Sequence, residues 1–149
     1  MSLTFTDIAE AEIEDVVALW ERCGLTRPWN DPRADIALAR REPTSTVIVG
    51  REGSGPIQAA AMLGHDGHRG WCYYVAVEPG LQARGLGRAV MAEIETRLKA
   101  AGVPKLQLMV RKGNAAVIGF YERLGFLEED TVVMGKRFDG KTWSTALKP

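Results

Sequence analysis

Two glycines and two arginines stand together in the stretch PGLQARGLGR, residues 79–88. Gly85 and Gly87 let the backbone turn sharply or let a ligand approach closely. Apolar residues repeat at helical spacing directly afterwards, so the stretch leads into a helix N-terminus, whose free N–H groups and partial positive charge favour an anion. Arg84 and Arg88 add positive charge. The stretch predicts a phosphate or pyrophosphate site, although a glycine-rich turn with solvated arginines would look the same.

The spacing of these residues excludes two common nucleotide sites. A P-loop needs a Gly-Lys-Ser/Thr ending to hold phosphates and a magnesium ion, and the stretch lacks it. The dinucleotide fingerprint differs in spacing, in its place in the chain and in the acidic residue that follows.

A second pair of polar residues lies on the last predicted helix, NAAVIGFYERL. Asn114 opens this helix, and Tyr121 follows about two turns later on the same face. Asn114 offers amide donors and an acceptor, and Tyr121 offers a weak acid on an aromatic ring. Each has a structural alternative, which is an N-cap for Asn114 and core packing for Tyr121.

Further polar residues are candidates for contacting a second substrate. Arg27, Trp29 and Asn30 lie in the loop TRPWNDP, and an exposed Arg–Trp pair suits a carboxylate or an aromatic group. Trp29 could equally fill the core beside the first helix. His68 lies before an apolar strand and Tyr73 lies within it, and both could contact the same second substrate.

One histidine pair resembles a metal site. His65 and His68 are spaced as H-x-x-H with Asp66 between them, but they fall in a predicted turn without a further His or Cys ligand. We therefore predict no metal.

These residues must be positioned by alternating strands and helices of one domain, residues 1–149. Period-two and helical spacings predict the order β-α-α-β-β-β-α-β-α-β-β, which is a mixed α/β sheet with helices packed on it. The predicted strands include the run WCYYVAV, apolar on both faces and hence central, and a final antiparallel pair, FLEED and TVVMGKRF. The last hairpin could also pair across a homodimer.

Composition limits the partners. The chain is 46% hydrophobic and 26% charged, as in ordinary globular proteins. Basic and acidic residues number 19 each, so no net charge attracts nucleic acid or a membrane surface. No apolar run approaches the ~20 residues that span a bilayer, and no signal peptide is evident. Cys23 and Cys72 stand far apart, which favours reduced thiols and a cytoplasmic protein.

Two motifs together carry a resemblance to a known family. The segment VAVEPGLQARGLGRAVM, followed about thirty residues later by NAAVIGFYERLGF, resembles the GNAT superfamily of N-acetyltransferases. The predicted element order is similar to theirs over nearly the whole chain. The segments LWERCGLTRPWNDP and DGHRGWCYYVAV are most similar to the uncharacterised YpeA-type branch. The resemblance implies a GNAT-like three-layer sandwich with splayed central strands, acetyl-CoA as donor and an amine acceptor.

The resemblance also implies roles for individual residues. The strand Val75, Ala76 and Val77 matches the one whose backbone pairs with the pantetheine arm. Asn114 matches the residue that hydrogen-bonds the pantetheine, and Tyr121 the residue that protonates the departing thiolate. The loop that would hold the pyrophosphate comprises Gln82, Ala83, Arg84, Gly85, Leu86, Gly87 and Arg88.

The implied reaction is direct attack of a neutral amine on the acetyl thioester. A backbone N–H on the Val75 strand is the natural oxyanion donor. The base that deprotonates the amine stays open between Glu78, the Asp66–His68 loop and a water chain. Met109 stands where the related ribosomal-protein alanine acetyltransferases carry a glutamate, and Val117 replaces a common alanine.

The sequence alone is also consistent with other functions. A non-catalytic acyl-CoA sensor or partner-binding domain would keep the same donor site, and another acyltransferase would take a longer acyl-CoA. The acceptor could be a peptide N-terminus, a lysine, or a small molecule such as a free amino acid, a polyamine or a drug.

Overall fold

The structure is a computed structural model, and it describes residues 2–141. Its contacts divide the chain into two compact units. Among the described residues, the first unit comprises 2–26 and Asp31–Met109, and the second comprises Arg27–Asn30 and 110–141.

A five-stranded sheet forms the centre of the first unit, with its strands in sequence order. The first four strands pair antiparallel and the fifth pairs parallel to the fourth. The strands are β1 (Thr4–Asp7), β2 (Ser45–Arg51), β3 (Ala59–His65), β4 (Gly70–Val77) and β5 (Leu106–Gln107). The predicted mixed sheet is confirmed, although the strand predicted over KLQLMV is reduced to two residues.

Three helices pack on this sheet: α1 (Ile13–Arg22), α2 (Pro32–Arg41) and α3 (Leu86–Ala100). Helix α2 begins where the sequence predicts, because the Asp31 side chain accepts hydrogen bonds from the N–H groups of Arg33 and Ala34. Proline at its first position needs no hydrogen-bond partner. No helix among residues 2–141 is both long and apolar enough to cross a bilayer.

The sheet buries apolar side chains on both faces. Val47 and Val49 of β2 pack in one cluster with residues of α1 and α2, including Trp20 and Ile36. The opposite face receives α3 so closely that a Cβ on Gly70 would lie 2.7 Å from Leu98 Cδ1. The predicted layers of helix, sheet and helix are therefore present in the first unit.

The second unit contains helix α4 (Ala115–Arg123), but not the predicted final antiparallel pair. Residues 126–138 form neither strand in the described part of the chain. Alternating apolar residues stabilise a strand only when one face is covered, and here Leu127, Val132, Met134 and Phe138 are 85–93% exposed. The prediction of two C-terminal strands is wrong, and the proposed homodimer loses the hairpin on which it rested.

Candidate functional site

The outer edge of β4 is open along most of its length. Only Gly70 and Trp71 pair with β5, so the register leaves the edge from Cys72 to Val77 without a strand beside it in the described structure. Exposed backbone donors and acceptors along a strand can pair with an added extended chain. Strands β4 and β5 are therefore paired only at their starts, as the predicted splayed arrangement requires.

A β-bulge interrupts β4 within this open edge. Ala60 pairs with Ala76, whereas Met62 pairs with Tyr73, so Tyr74 and Val75 together face one residue of β3. An independent observation agrees with this register. The Gly70 N–H donates toward β5, to Lys105 O at 2.8 Å, whereas the Glu78 N–H donates toward β3, to Gln58 O at 2.8 Å.

Residues an even number apart in a regular strand direct their N–H groups to the same edge. The opposite directions at the two ends of β4 therefore require one extra residue between them. The bulge frees backbone N–H groups at Tyr74 and Val75 from the β3 ladder. Such groups can donate to an external oxyanion.

Three side chains from separate elements hold the bulge in place. Tyr74 has a left-handed backbone (φ 55°), which is strained for a residue with a Cβ. Its ring stacks on the buried Trp20 of α1 with centroids 4.1 Å apart and an interplanar angle of 11°. Its hydroxyl donates to Asp35 Oδ2 of α2 at 2.7 Å. Burial, together with this hydrogen bond, raises the pKa of Tyr74 above its usual value.

Two hydrogen bonds to the last carbonyl group of β4 hold the end of the strand in place. Val77 O accepts hydrogen bonds from Cys23 Sγ at 3.3 Å and from Gln82 Nε2 at 3.2 Å. Gln82 therefore fixes the start of the glycine-rich turn to the strand before it. This is a positioning contact, beyond the ligand contact that the sequence predicts.

The glycine-rich turn has the backbone that an anion site needs. Gly85 adopts φ 79° as the N-cap of α3, and a Cβ there would meet no atom within 4 Å. Ala83 also lies in the left-handed region (φ 67°). Ala89 N–H, which donates to Gly85 O, makes the first helical hydrogen bond, so the N–H groups of the first turn are available to a ligand.

Glu78, one of the candidate bases, forms a bidentate ion pair. Arg22 Nη2 and Nε donate to its two carboxylate oxygens at 2.7 and 3.1 Å. This pair, chiefly through its hydrogen bonds, raises the pKa of Arg22. A carboxylate held by both oxygens is a poor base, so the geometry favours a structural role that joins α1 to β4.

The Asp66–His68 loop, the second candidate base, is a turn on the surface of the first unit. Asp66 Oδ1 accepts from the N–H groups of Arg69 and His68 at 2.8 and 2.9 Å, and these bonds lower the Asp66 pKa. His65 Nδ1 accepts the Gly67 N–H at 3.1 Å, within the same turn. No cluster of three metal-ligating side chains occurs among the described residues.

The remaining predicted residues lie in the second unit. Asn114 is the N-cap of α4, where its Oδ1 accepts the Val117 N–H at 3.3 Å. Tyr121 packs edge-on against Phe120 and Phe126, with centroids 5.0 and 5.5 Å away. Asn114 is thus an N-cap, whereas Tyr121 is a half-buried member of an aromatic cluster and not a core residue.

The loop of Arg27, Trp29 and Asn30 is secured by Arg137. Arg137 Nη2 donates to Trp29 O at 2.6 Å, and Nη1 lies 3.5 Å from Asn30 Oδ1. Trp29 is half-buried and is not a member of the core cluster.

The open strand, the bulge and the glycine-rich turn together suit an acyl donor, and comparison with known proteins gives the family. Residues 6–126 match the acetyltransferase (GNAT) family. The chain belongs to the GNAT acetyltransferases. An acetyltransferase of Yersinia enterocolitica is 44% identical over 128 residues, covering 86% of this chain and 90% of that relative.

Solved structures agree with this family in their fold. AAC(6')-Iy in complex with the bisubstrate analogue CoA-S-monomethyl-acetylneamine is 14% identical with a TM-score of 0.76, covering 92% of this chain and 99% of that one. An acetyltransferase of Clostridium acetobutylicum with acetyl-CoA is 15% identical with a TM-score of 0.72, covering 91% and 96%. The predicted GNAT fold and acetyltransferase class are confirmed, whereas the YpeA-type branch and the individual site residues stay predictions.

Proposed function

We propose that this GNAT protein uses acetyl-CoA to acetylate a primary amine, and that residues 1–149 act as one catalytic domain. The observation that carries the proposal is the bulged, open edge of β4, followed directly by a left-handed glycine turn at the start of α3. This order provides backbone pairing for an extended arm and then N–H groups for its diphosphate.

The donor-binding residues divide between these two features. Val75, Ala76 and Val77 present the strand that pairs with pantetheine. The loop from Ala83 to Arg88 holds the pyrophosphate with its N–H groups and two arginines, and Gln82 anchors that loop. Asn114 contributes its amide to the pantetheine, as the family resemblance implies.

The proposed transfer forms an N–C bond and breaks the C–S bond. The neutral amine attacks the thioester carbon, and the carbonyl oxygen gains negative charge that an N–H at the Tyr74–Val75 bulge stabilises. The thiolate leaves and takes a proton from the Tyr121 hydroxyl, and solvent returns a proton to the resulting phenolate. The proton of the acetylated nitrogen passes to water, since Glu78 and Asp66 are engaged in other contacts.

The decisive test is calorimetric binding of acetyl-CoA to the wild type, Gly87→Glu and Gly80→Glu. The first substitution puts negative charge in the first turn of α3, where glutamate is compatible with the helix. The second adds the same side chain at an exposed glycine with open space and ordinary φ, and it serves as the control.

We expect a wild-type Kd on the order of micromolar, unchanged in Gly80→Glu and about 100-fold weaker in Gly87→Glu. Equal binding by all three proteins would remove the pyrophosphate assignment. Release of CoA in the presence of amines then separates catalysis from an acyl-CoA sensor, and competition by propionyl-CoA and succinyl-CoA reports the acyl length.

A further inference from the structure

A cleft on the α2 side of β4 is not used by the donor site. It has a volume of about 270 Å³ and lies entirely within the first unit. Its walls include Asp35 and Leu38 of α2, Met62 of β3, Trp71 and Tyr73 of β4, and Asp66 of the turn between β3 and β4. We call it the α2–β4 cleft. Its size is near the lower end of small-molecule sites, ~300 Å³.

The register explains why these side chains share one face. Met62 pairs with Tyr73, and Gly64 pairs with Trp71, so both aromatic residues point to the side of the sheet that carries α2. A Cβ on Gly64 would lie 2.8 Å from Ser45 Cβ, so glycine lets β2 approach β3 closely at this end of the cleft. Leu38 and Tyr73 are 52% and 42% exposed, so the cleft is open to solvent.

The cleft is apolar in its walls and negative in its charge. Asp35 and Asp66 are its carboxylates, and no Lys or Arg lines it among the described residues. His65 Nδ1 accepts the Gly67 N–H, so this ring nitrogen is engaged within the turn. An ammonium group on an apolar or aromatic body complements such walls, whereas a carboxylate would meet only repulsion.

One end of the cleft meets the bulge. Tyr73 directly precedes the two bulge residues, and Asp35 accepts a hydrogen bond from the Tyr74 hydroxyl. A molecule in the cleft would therefore lie next to the backbone N–H groups assigned to the acyl oxygen.

A larger groove of about 490 Å³ at the β2–β3 end of the first unit lacks this complementarity. Its two arginines are already paired, Arg40 with Glu10 and Arg97 with Asp7 and Glu93. Its arginines are thus already balanced by carboxylates, and no Phe, Tyr or Trp lines this groove among the described residues.

We propose that the α2–β4 cleft binds the acceptor, and that the acceptor is a primary amine on an apolar or aromatic body without a carboxylate. This inference rests on the proposed function. It replaces the loop of Arg27, Trp29 and Asn30 as the main acceptor contact and retains Tyr73. The acetyl group moves from sulfur to the amine nitrogen, and the nitrogen releases one proton to solvent.

The test compares phenethylamine with phenylalanine, which has the same body plus a carboxylate, and with putrescine, which lacks the aromatic body. Steady-state kinetics at saturating acetyl-CoA should give phenethylamine at least about a tenfold higher kcat/KM than either. Calorimetry of phenethylamine alone measures the cleft independently of catalysis.

Two substitutions make the assignment specific. Leu38→Lys puts a cation at the mouth of the cleft on a half-exposed helical position that lysine suits. It should shift the phenethylamine to phenylalanine ratio by about tenfold toward phenylalanine. Asp66→Asn keeps the turn acceptor but removes the charge, and it should raise the phenethylamine KM by up to about fivefold. Asp31→Asn, a capping carboxylate outside the cleft, is the matched control.

A preference for phenylalanine, or a substrate ratio that ignores Leu38→Lys, overturns the inference while acetyl-CoA binding still supports the proposed function. Failure of acetyl-CoA to bind overturns the proposed function. In that case, phenethylamine binding that Leu38→Lys abolishes would still support the α2–β4 cleft as an amine site. Absence of phenethylamine binding would overturn that assignment.

Discussion

At the scale of single residues, Tyr74 combines a strained backbone with strong side-chain contacts. A left-handed conformation costs a residue with a Cβ about 1–2 kcal/mol. The stack on Trp20 and the hydrogen bond to Asp35 offset that cost from two different helices. The same three residues therefore determine where the bulge N–H groups lie.

Tyr74→Phe should destabilise the protein, because it keeps the ring on Trp20 but leaves the half-buried Asp35 carboxylate without its donor. We expect the free energy of unfolding to fall by about 1–3 kcal/mol in denaturant titrations. Tyr73→Phe removes the neighbouring hydroxyl and should cost much less. Similar losses in the two variants would contradict a specific role for the Tyr74–Asp35 bond.

Cys72 should make the protein less stable in alkaline solution. Burial raises the pKa of its thiol from 9.0 to about 12. Between those pH values the unfolded chain releases a proton that the native state keeps, so stability falls as pH rises, by up to about 1.4 kcal/mol per pH unit. Below pH 9 both states keep the proton and the effect is absent.

The measurement compares unfolding free energies of the wild type and Cys72→Ala at about pH 8 and about pH 10. The wild type should lose more stability than the variant over this interval. The raised pKa values of Tyr74 and Cys23 affect both proteins and cancel in the difference, whereas part of the rise in the Tyr73 pKa comes from Cys72 itself and belongs to the Cys72 effect. Parallel pH dependences would show that Cys72 ionises equally in both states.

At the scale of elements, β4 is constrained at its start, middle and end by different partners. The β5 ladder holds Gly70, the side chains on Tyr74 hold the bulge, and Cys23 and Gln82 hold the Val77 carbonyl. The ion pair of Arg22 and Glu78 ties the last turn of α1 to the residue after β4. The stretch between these anchors is the one left open for a ligand.

Glu78→Gln distinguishes a structural carboxylate from a catalytic base. Because Glu78 is already held by Arg22, we expect kcat and its pH profile to stay unchanged. The exposed pair should contribute less than about 1 kcal/mol to stability. Loss of about 100-fold in kcat, with the acidic limb of the pH profile removed, would instead identify Glu78 as the base.

At the scale of the whole molecule, local signals predicted most elements of the first unit. Asp31-Pro32 predicted the start of α2, and Gly85 predicted the turn before α3, because capping and left-handed backbone have residue preferences. The bulge had no such signal, since its left-handed residue is Tyr74 and its supports, Trp20 and Asp35, are distant in sequence. Likewise, the local sequence does not determine which face of a segment other elements will cover. The two predicted C-terminal strands are wrong because the structure leaves their apolar residues exposed.

If the chain is one domain, it should unfold in a single cooperative transition. Binding of acetyl-CoA should shift that whole transition to a higher temperature. Calorimetry should give equal calorimetric and van't Hoff enthalpies. Acetyl-CoA at about 100 times its Kd should add ~2.7 kcal/mol, which raises Tm by roughly 5–10 °C. At the same acetyl-CoA concentration, Gly87→Glu should unfold in one transition that rises by only about 1 °C, because its Kd is about 100-fold weaker, whereas Gly80→Glu should shift like the wild type. Two separate transitions, only one of them ligand-dependent, would mean that the two compact units fold independently and that the donor stabilises just one of them.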